Sequence, residues 1–176
     1  NSLPMSTAQK PDFSYDTTDG AAAVILHNDY LILPGRQGSL NIWSGLPHTA
    51  RDPDISVKQG FGGTSVSSFI DGCSDSARVY LLDDSGTLSA WDGLPTDFEE
   101  PVFELTFAQP FPSKVSCSKS YAALTIGGTI LMCPKSVLSD SSACTSVTSD
   151  VFSQNLSSTL FTDSGFFVAD RGNNQV

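Results

Sequence analysis

A step from a glycine-marked turn into a short apolar strand recurs four times along this sequence, and no other feature narrows the fold as much. Gly38-Ser39-Leu40-Asn41-Ile42-Trp43, Gly86-Thr87-Leu88-Ser89-Ala90-Trp91 and Gly128-Thr129-Ile130-Leu131-Met132 carry it, and Gly172 opens the last copy. Successive glycines lie 48, 42 and 44 residues apart. Two copies share a longer tag: Trp43-Ser44-Gly45-Leu46-Pro47 returns as Trp91-Asp92-Gly93-Leu94-Pro95. A period of about 40–50 residues holding several short strands is the signature of propeller blades. One such sheet cannot bury its own faces, so copies must stack on one another.

The runs between turns support strands. Leu160 and Phe161 end one apolar run, Asp163-Ser164-Gly165 makes a turn, and Phe166-Phe167-Val168-Ala169 forms the next run. In Val102 to Phe107, Phe103, Leu105 and Phe107 alternate with Glu104 and Thr106, the period of a half-buried strand. No stretch keeps the apolar stripe of a helix. The first blade is expected to use Ala21 to Leu26, Asp29 to Leu33, Ser39 to Trp43 and Ile55 to Lys58, with Gly60-Phe61-Gly62-Gly63 leading onward. The second uses Ser65 to Ile70, Arg78 to Leu82, Thr87 to Trp91 and Val102 to Phe107. Ser113 to Ser118, Tyr121 to Ile126, Thr129 to Cys133 and Thr145 to Thr148 make the third. Ser157 to Phe161 and Phe166 to Ala169 begin a fourth, which reaches Val176 inside its third strand.

The expected fold is therefore all-β: a β-propeller of four-stranded antiparallel blades, about three and a half of them, over residues 20–176. Residues 1–19 read as a lead-in, within which Asp12 to Asp16 could supply a closing strand. A half-built blade leaves a strand edge and an apolar face uncovered. Either the lead-in closes four blades, or the rest of the propeller is a second fragment or chain, six or seven blades needing roughly 250–330 residues. The second reading is preferred.

Charge narrows the partners. Acidic residues outnumber basic ones 19 to 9 for a net charge of −10, and the cations are scattered. Phosphate backbones and anionic membrane surfaces would repel such a chain, so neither nucleic acid nor direct membrane contact is expected. No run of about 18 apolar residues spans a bilayer. Cys73 and Cys117 align near the innermost strands of adjacent blades, and Cys133 and Cys144 lie 11 residues apart. Disulfides Cys73–Cys117 and Cys133–Cys144 are the expected pairing, although four cysteines allow three pairings and four reduced thiols in a cytosolic protein remain the alternative. Asn155-Leu156-Ser157 is a glycosylation acceptor at Asn155. The cysteines and Asn155 together point to an oxidising, extracellular setting.

Phe167-Val168-Ala169-Asp170-Arg171-Gly172-Asn173-Asn174-Gln175-Val176 resembles the core of an NHL repeat: a strand ending Val-Ala-Asp, a Gly-Asn turn, then an Asn-Arg-Ile-type strand. Gln175 stands where that pattern usually has Arg, and Tyr80-Leu81-Leu82-Asp83 and Tyr30-Leu31-Ile32-Leu33 are degenerate versions. The resemblance implies a six-bladed, non-catalytic recognition scaffold. Among extracellular proteins with such domains, the flagellum-attachment adhesion glycoproteins of kinetoplastids, membrane-anchored ectodomains, fit the disulfides and the glycan.

Catalytic readings fare worse. Asp84-Ser85-Gly86 with Trp91 comes near the Asp box of sialidases, but the tryptophan falls two positions late. Tyr80 to Asp83 with the later glycine and tryptophan resembles a quinone-dehydrogenase repeat only once. A lyase would need histidine ligands, and His27 and His48 both fall in expected exposed turns. Asp83/Asp84 and Glu99/Glu100 read as solvated turn carboxylates, Trp43 and Trp91 as packing residues, and Asp83 and Asp170 as acceptors for turn N–H groups. No cofactor or metal is expected. The sequence thus reads as an extracellular protein-recognition or cell-adhesion module without catalysis, partnered by another cell-surface protein. Asp83, Asp84, Asp170, Arg171, Asn173 and Asn174 would present its binding face. The alternatives are a propeller glycosidase or lyase whose catalytic residues lie in other blades, and a closed four-blade hemopexin-like binding module.

Overall fold

Alternating apolar and polar residues between short turns give fourteen antiparallel strands among the described residues. A computed structural model describes residues 20–57, 68–96, 100–138, 140–149, 152–153, 156–162 and 165–174. The first sheet contains β1 (Ile25–His27), β2 (Tyr30–Pro34), β3 (Leu40–Ser44) and β4 (Ile55–Val57). The second contains β5 (Phe69–Ser74), β6 (Arg78–Asp83), β7 (Thr87–Asp92) and β8 (Phe103–Thr106). The third contains β9 (Lys114–Cys117), β10 (Tyr121–Ile126), β11 (Thr129–Pro134) and β12 (Thr145–Thr148). The last pairs β13 (Leu156–Thr162) with β14 (Gly165–Asp170). Each strand lies beside its neighbour in the chain, as in a propeller blade. The expected lead-in strand, the Gly60–Gly63 link and Asn155 lie outside the described residues.

The innermost strands β1, β5, β9 and β13 run side by side in one direction. Ile25 meets Gly72, the Val115 amide bonds the Asp71 carboxylate, Cys73 bonds Cys117, and the Ser116 and Thr159 hydroxyls pair at 2.9 Å. The sheets therefore fan about a common axis. Between the innermost strands lies a cavity of about 400 Å³.

Stacking of the blades makes the core. Ile25, Ile32, Leu40, Ile42 and Val57 of blade one meet Phe69, Val79, Leu81 and Trp91 of blade two. The other face of blade two, with Tyr80, Leu82, Leu88, Ala90, Leu105 and Phe107, meets Val115, Ala122, Leu124 and Cys133 of blade three. Ala123 and Ile130 then receive Leu156, Phe161 and Val168 of blade four. Each such aliphatic side chain contributes about 1.5–3 kcal/mol on leaving water, so the interfaces between blades hold the fold. The disulfides Cys73–Cys117 and Cys133–Cys144 form as the repeat alignment predicts. The first joins blades two and three at their innermost strands. The second ties β11 to the loop of two single-turn 3-10 helices, Lys135–Val137 and Ser141–Ala143.

A polar clasp joins the same two blades. Lys135 donates to Asp75 and, at 2.6 Å, to the Ser118 carbonyl, while its ammonium lies 4.6 Å from the Tyr80 ring centroid. The Tyr80 hydroxyl donates to Asp75 at 3.1 Å. Burial pushes the Asp75 carboxyl up, but hydrogen bonds from Lys135 and the Ala77 and Arg78 amides outweigh it and leave the group below its ordinary range. Burial also lowers the Lys135 ammonium more than Asp75 raises it. Such a pair orients the blades more than it stabilises them.

Three expectations are corrected. The innermost strand of blade two runs Phe69–Ser74, past the expected end at Ile70, because Asp71-Gly72 is strand and not turn, and positions 65–67 of the expected strand lie outside the described residues. A Cβ on Gly72 would stand 2.6 Å from Ile25 Cδ1 and 2.9 Å from the Tyr80 carbonyl oxygen, so glycine lets blade one approach. In blade one the regular strand starts only at Ile25, with Ala21 making a single bridge to Gly35. The left-handed turn residue follows the repeat at Gly38 and Gly86 but slips to Gly127 in blade three and Asn174 in blade four.

Candidate functional site

Because the innermost strands run in one direction, the turns between second and third strands gather at one end of the fan. Asp83 closes the turn of blade two: its Oδ1 accepts from the Ser85 and Thr87 amides at 3.0 and 2.8 Å and from the Ser85 hydroxyl at 2.7 Å. Asp84 accepts from the Ser68 amide at 3.2 Å. In blade four, Asp170 accepts from the Gly172, Asn173 and Ser153 amides at 3.0, 3.2 and 2.7 Å, from the Asn173 side-chain amide at 2.9 Å, and from the Ser153 hydroxyl. Burial pushes its carboxyl up, and this set of donors holds it below the ordinary range all the same.

Asp83 and Asp170 thus hold their turns, as the sequence suggested, but Asp170 is buried and not presented to a partner. Asp84, Arg171, Asn173 and Asn174 are exposed on that end. They belong to turns of blades two and four.

His27 departs from expectation. It lies on β1 and is 2% exposed, with no hydrogen-bond partner for Nδ1 among the described residues. The run Val24-Ile25-Leu26-His27 continues the strand past the point where the histidine suggested a turn. His48 is exposed. Among the described residues no three His, Cys, Asp or Glu side chains converge as metal ligands. Trp43 and Trp91 are buried, and the Trp43 indole donates to the Arg51 carbonyl at 3.0 Å. Beside it, Arg51 and Ser44 hydrogen-bond Asp54 and lower its carboxyl to about 2.

Among the described residues, no further blade covers either end of the fan. Trp91 pairs with Val79 and Trp43 with Leu31, so the two tryptophans are equivalent along their ladders. Trp91 packs against blade one, whereas Trp43 faces outward and, with Val24, Leu31, Leu33 and Pro47, lines an apolar hollow of about 240 Å³. Val24, the counterpart of the covered Gly72, is 71% exposed. At the other end, Leu160 and Phe167 are register partners on β13 and β14, and both are 60% exposed. Periodicity signalled apolar faces without saying which would lack a neighbour.

No family profile and no curated protein matches the sequence. Solved structures do resemble the fold. The WD40 domain of Toxoplasma gondii coronin superposes with a TM-score of 0.56 at 17% identity, over 82% of this chain and 38% of that one. Myxococcus xanthus glutaminyl cyclase gives 0.59 at 13%, over 84% and 60%. The computationally designed Ika4 protein gives 0.60 at 14%, over 93% and 94%. The chain thus spans less than two thirds of the two natural proteins, and the likeness establishes a β-propeller fold.

Proposed function

We infer that the chain is part of a larger extracellular β-propeller with NHL-like blades, working as a non-catalytic protein-recognition or cell-adhesion module. The observation that carries this reading is the pair of uncovered apolar faces, Val24 and Leu26 at one end and Leu160 and Phe167 at the other. Faces of this kind are buried wherever one blade meets another in this chain, and further blades of the same propeller are the occupant that matches them. A closed four-blade ring is the weaker reading, because Val24 and Phe167 are 71% and 60% exposed and do not meet. The two disulfides fit an oxidising compartment. The Asn155 acceptor and a place among adhesion ectodomains like the flagellum-attachment glycoproteins are consistent with it.

The exposed turn residues Asp84, Arg171 and Asn174 then belong to the binding face on a rigid ring. Beads coated with the completed propeller are expected to bind the surface of cells from its own source. Asp84→Asn, Arg171→Ala and Asn174→Gly together would release the beads with little change in melting temperature, since asparagine keeps the acceptor for the Ser68 amide and glycine keeps the left-handed turn. Turnover of glycosides or a lyase substrate by the completed ring, with no cell binding, would assign the chain to the catalytic alternative.

A further inference from the structure

Among the described residues lining the central cavity, Asp71 on β5 and Lys114 on β9 are the charged ones. Their side chains are 15% and 35% exposed. The Val115 amide donates to Asp71 Oδ2 at 2.9 Å, so the neighbouring blade fixes the carboxylate's direction. Oδ1 stands 4.0 Å from Lys114 Nζ, farther than the roughly 2.7–2.9 Å of a contact ion pair. Burial pushes the Asp71 carboxyl up, and the Val115 amide, Lys114 and the Gly72 amide only partly offset it. This charge pair is therefore incompletely satisfied by protein groups.

The gap has a defined chemistry. An oxygen about 2.8 Å from both atoms must accept from Lys114 and donate to Asp71. A hydroxyl, of a ligand or of a water molecule, does both at once. A carboxylate would be repelled by Asp71, and an ammonium by Lys114. Ser74, Ser116, Ser157 and Thr159 add hydroxyls to the lining, and Leu160 and Phe161 add apolar surface. A cavity of about 400 Å³ lies within the range that encloses small ligands.

We propose that the central cavity binds a neutral polyhydroxylated ligand of monosaccharide size, one of whose hydroxyls bridges Asp71 and Lys114. The charged wall belongs to blades two and three, while Val24, Leu26 and Leu160 of the lining also belong to the end faces. Cleavage of a glycoside would take a second carboxylate flanking the bond, and Asp71 is the one acid in the described lining.

The test is a titration of the full isotope-labelled chain with glucose, galactose, mannose and N-acetylglucosamine, followed through its amide resonances. At least one sugar should give saturable shifts at Gly72, Val115 and Ser116 in the millimolar range. Asp71→Asn and Lys114→Met should each weaken the response about tenfold, while Glu104→Ala, on the outermost strand β8, leaves it unchanged. If Asp71→Asn does not fold, Lys114→Met, altering the more exposed partner, decides the matter. No saturable shift with any sugar, an undiminished response in Lys114→Met, or a response only to glycine zwitterion would overturn the proposal.

Discussion

Removing the Cys73–Cys117 disulfide isolates what one link between innermost strands contributes. The bond closes a loop between residues 44 apart in sequence. Loop-closure entropy for that length is about 13 cal/mol/K, or about 4 kcal/mol at room temperature. Residual structure in the unfolded chain reduces the figure, so a Cys73→Ala/Cys117→Ala variant should lose about 3–4 kcal/mol of unfolding free energy. It should still fold, because Tyr80, Leu82, Leu88 and Leu105 continue to pack on Val115, Ala122 and Leu124. Urea unfolding followed by the fluorescence of the buried Trp43 and Trp91 measures the loss. The midpoint should fall and the slope should rise somewhat, because the unfolded chain without the cross-link is less compact. A loss below about 1 kcal/mol would refute the reasoning, since β5 and β9 would then not depend on the cross-link.

Gly72→Ala should cost about 1–3 kcal/mol, since the new methyl meets the Tyr80 carbonyl as well as Ile25. Adding Ile25→Val should recover part of that loss in the same urea experiment. Thr125→Val should stabilise by about 1 kcal/mol, because the Thr125 hydroxyl is fully buried without a partner among the described residues and valine keeps its shape. Calorimetry would show a higher melting temperature, and a lower one would mean that the hydroxyl is satisfied. The Asp54, Asp75 and Asp170 carboxyls are held below the ordinary 3.8 in the folded chain, so their stabilisation is present above that value and lost as pH falls through the lower folded values. Asp71, raised above 3.8, acts oppositely, its contribution being present below 3.8 and lost as pH rises through the folded value. Melting temperatures should therefore drop on acidification below about pH 4, whereas Asp71→Asn should remove the gain that acidification brings between the raised Asp71 value and 3.8.

What could be read from the sequence was whatever the repeat repeats. Tyr121–Ile126 and Thr145–Thr148 match their expected strands because turn residues bound both sides. The Cys73–Cys117 bond was legible because Cys73 pairs with Tyr80 and Cys117 with Ala122, corresponding rungs of adjacent blades. Features set by contacts between blades were not legible. Asp71-Gly72 has the composition of a turn, and only the approach of Ile25 explains a glycine inside β5. The burial of His27 and Asp170 also escaped local reading. His27 is carried into a blade interface by its strand, and Asp170 is enclosed by Ser153 from seventeen positions earlier. Asp71 and Lys114 are 43 residues apart and meet only because β5 and β9 lie side by side.

Methyl and amide NOEs on the labelled chain test most directly whether the sheets fan about an axis through consecutive innermost strands. The account predicts contacts from the Ile25 methyl to Gly72, from Val115 to Asp71 and from Ser116 to Thr159, with Val24 and Phe167 contacting only their own blades. NOEs from Ile42 to Leu124, joining the first and third sheets face to face, would contradict it.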